Sequence, residues 1–188
     1  MIRPIILIAA LLSLAACETI KGAGKAISYP KLLRLFDAAL YVGRRSRAYY
    51  ENYRYPRERL FFSPHCVDVQ RFVALSNGEA RAALRSRLGI STERKVALFA
   101  GKLLPRKRPL DLIAAVAQLK SRGFRMDVLV AGAGPLQAEM TQAASEAGVT
   151  CHMLGFCNQS EMPAAYAAAD VLVLPSDSNE TWGLVTNE

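Results

Sequence analysis

The 188 residues are 52% hydrophobic and 21% charged, enough apolar surface for one ordinary domain or a domain with an extension, and this excludes a disordered polyelectrolyte. No apolar run reaches the roughly 20 residues of a membrane-spanning helix. The four cysteines form no CxxC pair and there are two histidines, which excludes a zinc ribbon and a disulfide scaffold and leaves little for a His-based metal site. The formal net charge of +8 is unevenly spread: residues 1–60 and 61–120 each carry 11 Lys/Arg against 4 Asp/Glu, and residues 121–188 carry 2 against 8. A basic surface steers anions, whether nucleic acid, anionic lipid or a nucleoside diphosphate, or it is only a solvated face.

At the N-terminus, Arg3 precedes the apolar stretch Ile5–Ala16 and then small residues, the layout of a secretory signal. Leu14-Ala15-Ala16-Cys17 resembles a bacterial lipobox, and Glu18–Lys25 resembles the start of an entericidin-like small lipoprotein. The alternatives are a buried helix of a cytosolic domain or a misplaced start. Residues 1–28 are expected to stay out of the α/β layers.

From Pro30 the texture changes. Lys31–Phe36 is amphipathic, Ala38–Val42 reads as a buried strand, Arg44–Tyr53 as a basic, Tyr-rich helix, and Leu60–Phe62 as a short strand. Ser63–Asp68 has turn residues and no period, and begins a connector over 63–78. A regular alternation follows: helix Glu79–Leu88, strand Val96–Ala100, helix Pro109–Ser121, strand Met126–Ala131, helix Pro135–Ala147, strand Val149–Leu154, helix Glu161–Ala169, strand Val171–Leu174. Near-continuous apolar strands separated by helices predict a parallel sheet covered on both faces.

In such a sheet ligands bind beyond the carboxyl ends of the strands. Gly101-Lys102-Leu103-Leu104-Pro105-Arg106-Lys107-Arg108 places four cations between a strand and a helix N-terminus, where a phosphate would be favoured; a solvated basic loop is the other reading. Gly132-Ala133-Gly134-Pro135 is a GxG that permits a tight turn or close backbone approach. Gly155-Phe156-Cys157-Asn158-Gln159 could face a base or sugar, or be only a polar loop. Pro175–Glu188 is acidic and leads into the first turns of a helix. Its carboxylates Glu180 and Glu188 can accept from sugar hydroxyls, and the N–H groups of Trp182, Gly183 and Leu184 can donate to an anion; Glu180 could equally stabilise the helix N-terminus.

Together, FFSPHCVDVQRF, LFAGKLLPRKRPLDLI, VLVAGAGP, HMLGFCNQSEMPAAYAAADVLVLPS and ETWGLVTNE resemble, in order and spacing, the nucleotide-sugar-binding domain of family 4 (group 1) glycosyltransferases with the GT-B fold. The resemblance runs from about Leu33 to Glu188. It implies a hexosyltransferase that moves a sugar from a nucleoside diphosphate sugar to an acceptor hydroxyl with retention. Lys102 and Lys107 would hold the diphosphate, Glu180 the donor sugar and Glu188 the ribose. Gly101, Gly134, Trp182, Gly183 and Leu184 would line the donor site, with main-chain groups near Phe156 facing the base. Position 102 is usually Arg in the family, so a fork of donors becomes a point charge. No metal or other cofactor is implied, and no nucleic acid.

The implied fold is α/β, a Rossmann-like parallel sheet with helices on both faces, forming the second half of a truncated GT-B fold. Residues 29–62 would be a remnant of the first domain, 63–78 a connector, and 79–188 the nucleotide-sugar domain, incomplete at its end. A fragment lacking its acceptor lobe is expected to be inactive alone. The acceptor would be a lipid-linked or polysaccharide precursor, and the location cytoplasmic or peripheral at the inner membrane, anchored if Cys17 is lipidated. Two competing readings are a small membrane-anchored lipoprotein with a non-catalytic α/β appendage and a nucleotide-sugar epimerase of the same fold.

Overall fold

The structure, a computed structural model, describes residues 7–9, 32–177 and 183–186. It divides into two compact units, Met1–Cys66 and Val67–Glu188.

In the first unit, β1 (Leu7–Ala9), β2 (Ala38–Tyr41) and β3 (Leu60–Phe62) form a parallel sheet in that order. Leu7 pairs with Ala38, and Ala39 with Leu60. Helix α1 (Arg44–Asn52) follows β2. The Ser46 hydroxyl accepts from the Val42 and Gly43 N–H groups, each at 3.1 Å, and secures its first turn. Tyr50 and Tyr55 are buried with Leu33 and Ala39, and Tyr49 and Tyr53 pack beside them. The Tyr55 hydroxyl donates to the Phe36 carbonyl at 3.0 Å. Burial, then the neighbouring Tyr55, raises the Tyr50 phenol above its ordinary pKa.

The expectation that residues 1–28 stay outside the α/β layers is corrected at Leu7–Ala9, which run parallel to β2 as a strand of this sheet. The physical reason is that a charge-free apolar run suits a parallel strand as well as an export signal. Cys17 and the rest of the lipobox-like segment lie outside the described residues.

The second unit begins with α2 (Val69–Leu75) and α3 (Gly78–Arg87). Helix α2 lies where a connector was expected. Asp68 caps it by accepting from the Arg71 N–H at 3.1 Å, and Phe72 is buried with its ring edge-on to Tyr166 at 5.9 Å. Asn77 caps α3 in the same way.

Then come β4 (Lys95–Ala100), α4 (Pro109–Ser121), β5 (Met126–Ala131), α5 (Gln137–Glu146), β6 (Cys151–Gly155), α6 (Met162–Ala168) and β7 (Val171–Leu172). The sheet is parallel in the order β6-β5-β4-β7. The α/β expectation holds. Boundaries differ mainly at α5 and β6, which each start two residues later than expected, and at β7, which stops at Leu172.

Alternation along β4 builds both cores. Ala97 and Phe99 face a cluster with Leu112, Ile113 and Val116 of α4 and Met140 of α5. Val96, Leu98 and Ala100 face a second cluster with Leu84 of α3 and Ala165 and Ala168 of α6. Each large side chain buried this way contributes about 1.5–3 kcal/mol. With its two faces covered, the sheet's carboxyl edge is where a ligand can reach the backbone.

Candidate nucleotide-sugar site

The strand order reverses between β4 and β7: the chain first builds outward from β4 through β5 to β6, then returns to the other side of β4. Such a reversal opens a crevice at the carboxyl ends of β4 and β7. The loops after β4 and β7 flank it.

Main-chain contacts join all four carboxyl-end loops into one rim. Gly155, at the end of β6, makes an isolated bridge with Gly132. Gly132 lies against Gly101: a Cβ at 132 would stand 1.8 Å from the Gly101 carbonyl oxygen, and its φ of +158° is already unusual for an L residue. A Cβ at Gly134 would stand 2.6 Å from the Leu103 carbonyl oxygen. The Gly101 N–H donates to the Ala131 carbonyl at 2.9 Å, the Leu103 N–H to Ala133 at 3.0 Å, and the Leu136 N–H to Leu103 at 3.2 Å. Across the crevice, the Asp177 N–H donates to the Arg106 carbonyl at 2.9 Å. The glycines therefore let strand-end loops touch through backbone alone.

The cations ride on this rim. Lys102 is exposed one residue beyond Gly101. A 3-10 turn, Pro105–Lys107, carries Arg106 and the half-buried Lys107 to the start of α4. The Lys107 N–H donates to the Leu104 carbonyl at 2.9 Å. Arg108 pairs with Asp111 in the first turn of α4, at 2.5 Å. Lysines beside a helix N-terminus and its aligned N–H dipoles form an anion site. Phe156 follows Gly155 and is 80% exposed. Gly183 approaches the Leu174 side chain and opens a 3-10 turn, Leu184–Thr186, in place of the expected helix start. That turn is tied to α6, since the Tyr166 hydroxyl donates to the Val185 carbonyl at 3.0 Å.

Gly101, Lys102, Lys107, Gly134 and Phe156 thus all fall on carboxyl-end loops of the second unit. Gly183 and Leu184 lie on the chain beyond β7. Glu180, Trp182 and Glu188 lie outside the described residues. Gly132, Arg106 and Asp177 complete the rim; the sequence marked Gly132 only as part of the GxG and Arg106 only as one of four cations, with no site role for either, and the Arg106–Asp177 contact has no sequence signature. Among the described residues no three His, Cys, Asp or Glu side chains cluster to hold a metal. Nor does any described helix have the length and apolarity to cross a membrane.

Two hollows adjoin the rim. One of about 880 Å³ starts at Gly134 and Pro135 and runs along Gln137, Thr141 and Ser145 of α5, away from the cations. It is the larger but is floored by essentially one helix, so we do not assign the site to it. A smaller one, about 390 Å³, lies between α3 and α6 and includes Arg87, Leu154 and Phe156.

A doubly wound α/β sheet with a basic rim at its switch point has the architecture in which ligands bind beyond the carboxyl ends of the strands. The chain belongs to the group 1 glycosyl transferases, whose family description matches residues 80–188. It is 31% identical over 141 residues to a GDP-mannose-dependent alpha-(1-6)-phosphatidylinositol monomannoside mannosyltransferase of Mycolicibacterium smegmatis, covering 74% of this chain and 36% of that protein. It is 35% identical over 123 residues to a 2-deoxystreptamine glucosyltransferase of Streptomyces kanamyceticus, covering 64% of this chain and 31% of that one. In fold it is similar to WaaG, a glycosyltransferase involved in lipopolysaccharide biosynthesis, with a TM-score of 0.69 at 19% identity over 96% of this chain and 52% of that one. The chain spans about a third of the length of the curated relatives it matches.

Proposed function

We propose that the second unit binds the donor of a hexosyl transfer, a nucleoside diphosphate sugar, whose hexose passes to an acceptor hydroxyl with retention. The observation that carries this is the rim: four loops held backbone to backbone, presenting Lys102 and Lys107 beside the N-terminus of α4. Charge develops on the diphosphate as the sugar–oxygen bond breaks. In this reading Lys102, Lys107 and the helix dipole stabilise it, and preorganised electrostatics of this kind is a large term in catalysis. The lysines supply the positive charge, so the reading uses no metal. Main-chain groups near Phe156 face the base; Glu180 and Glu188, by the family resemblance, hold the sugar and the ribose. The GDP-mannose dependence of the mycolicibacterial relative supports a nucleotide-sugar donor. The acceptor is a lipid-linked or polysaccharide precursor, met in the cytoplasm or at a membrane surface.

Titration calorimetry of the chain with UDP, GDP and ADP tests the donor site. At least one diphosphate should bind, more weakly as salt rises. Lys107→Ala should weaken it by about tenfold or more, the loss of a charge-assisted contact. Absence of binding to every nucleoside diphosphate would sink the reading.

A further inference from the structure

We infer that Arg108 is a positioning residue, whose left-handed backbone holds Lys107 on the rim. The inference rests on the donor-site reading above. Two non-glycine residues among those described have positive φ, Arg54 at 56° and Arg108 at 50°. Arg54 follows the C-terminus of α1, where a left-handed residue is ordinary. Arg108 stands instead just before Pro109 at the start of α4, with ψ of 45°. A residue in that place normally takes an extended conformation, both as an N-cap and as the neighbour of a proline. Its side chain makes no capping bond to the helix.

Such strain persists only where the surroundings over-determine it. Here they do so from both sides. The Arg108 N–H closes the 3-10 turn on the Pro105 carbonyl at 3.0 Å, and the Asp111 N–H donates to the Arg108 carbonyl at 3.1 Å. The guanidinium pairs with Asp111, and Pro109 is fully buried as the first residue of α4. The 3-10 turn is also fixed across the crevice through Arg106 and Asp177. With both flanks pinned, Arg108 absorbs the change of direction between them. An extended Arg108 would swing the turn off the helix and carry Lys107 with it. The strain is thus located one residue from the lysine that meets the diphosphate, and its product is the place of that lysine.

Three variants separate backbone from side chain. Arg108→Gly keeps the left-handed turn without strain. Arg108→Val penalises it, with Arg108→Thr as a milder β-branched substitute should valine prevent folding. Asp111→Asn removes the ion pair alone. Amide hydrogen exchange at residue 107, melting temperature, and affinities for UDP and UMP and for GDP and GMP are measured on the full chain. In Arg108→Val, exchange at 107 should quicken and diphosphate affinity fall, each by about tenfold, with the monophosphates little affected, as expected from the left-handed penalty read as an equilibrium. Arg108→Gly should restore both, with an equal or higher melting temperature. Loss of melting temperature without loss of the diphosphate-over-monophosphate preference would overturn the inference. So would equal weakening by Gly and Val, which would assign the effect to the side chain. If no nucleotide binds the wild type yet valine still quickens exchange at 107, the positioning stands and the donor reading fails.

Discussion

At the amino end of the four-stranded sheet, charges are consumed within the protein. Arg81 donates to the Ala167 and Ala169 carbonyls at 2.8 and 2.9 Å and pairs with Asp170 at 2.9 Å. The second Asp170 oxygen accepts from the Val96 N–H at 2.8 Å. The buried Arg85 donates to the Arg94 carbonyl, and Arg94 pairs with the buried Asp127 at 2.7 Å. At the carboxyl end, loops meet through glycines and main chain, and Lys102 and Arg106 extend into solvent. A side chain locked between partners stabilises a fold; one standing on a rigid backbone with its charge exposed is available to a ligand. The same sheet therefore has a structural end and, on the donor-site reading proposed above, a binding end.

The largest effect that could break this contrast is kinetic. In an enzyme containing this unit, Lys107→Ala should lower turnover by about 100–1000-fold, the usual cost of one preorganised donor. Its melting temperature should stay within a degree or two, because the half-buried Lys107 lies outside both apolar clusters of the sheet. A large fall in melting temperature would move Lys107 to the structural class. Next is Gly132→Ala, which forces a Cβ into the Gly101 carbonyl and should cost about 3 kcal/mol by overpacking, read as a shifted denaturation midpoint. A neutral result would show that the rim yields.

Asp170→Ala should cost about 2 kcal/mol, since it strands a backbone N–H and the buried Arg85. Burial alone would raise the Asp170 pKa. The Val96 N–H, the Arg81 hydrogen bond and the charges of Arg81 and Arg85 outweigh it and hold the carboxyl below its usual value. The unfolded chain therefore takes up this proton first as pH falls. Its contribution is complete above the ordinary carboxylate pKa of about 4, and is lost as pH drops through the lower folded value. Asp170→Ala should flatten that acid limb of stability against pH; an unchanged limb would show that other carboxylates set it. The smallest effect is Lys102→Arg. A fork of donors in place of a point charge should tighten diphosphate binding by about threefold without altering stability. Weaker binding would mean the rim fits only the lysine.

Much of the second unit was legible because its signals are long and local. Pro109 at a helix start, an apolar face through Leu112, Ile113 and Val116, and a stretch at Met126–Ala131 that is apolar but for Asp127 leave little choice, and both elements have the expected bounds. Helix α2 was missed because Pro64 and the polar residues before it dominate the window. The Asp68 cap and the spacing of Val69, Phe72 and Val73 were the available signals. Strand β1 was missed because pairing with Ala38–Leu40 is non-local, and an apolar run of that length fits several structures. At the rim the sequence marked the cations and glycines but not their joining. The Gly132–Gly155 bridge and the Arg106–Asp177 bond exist only once distant strands are side by side.

Strand β7 pairs with β4 through Ala97 and Val171, and the Val96–Asp170 bond spans 74 residues. During synthesis at about 5–20 residues per second, those residues follow Val96 by about 4–15 s. Through that interval one flank of β4, the central strand, has no neighbour, and its unpaired amides can recruit another nascent chain. Loop closure over such a distance also makes this pairing among the slower steps of folding. The crevice at the switch point comes into being only with that last pairing, so a chain arrested before Asp170 would carry both rim lysines and lack the β7 wall of the crevice they flank.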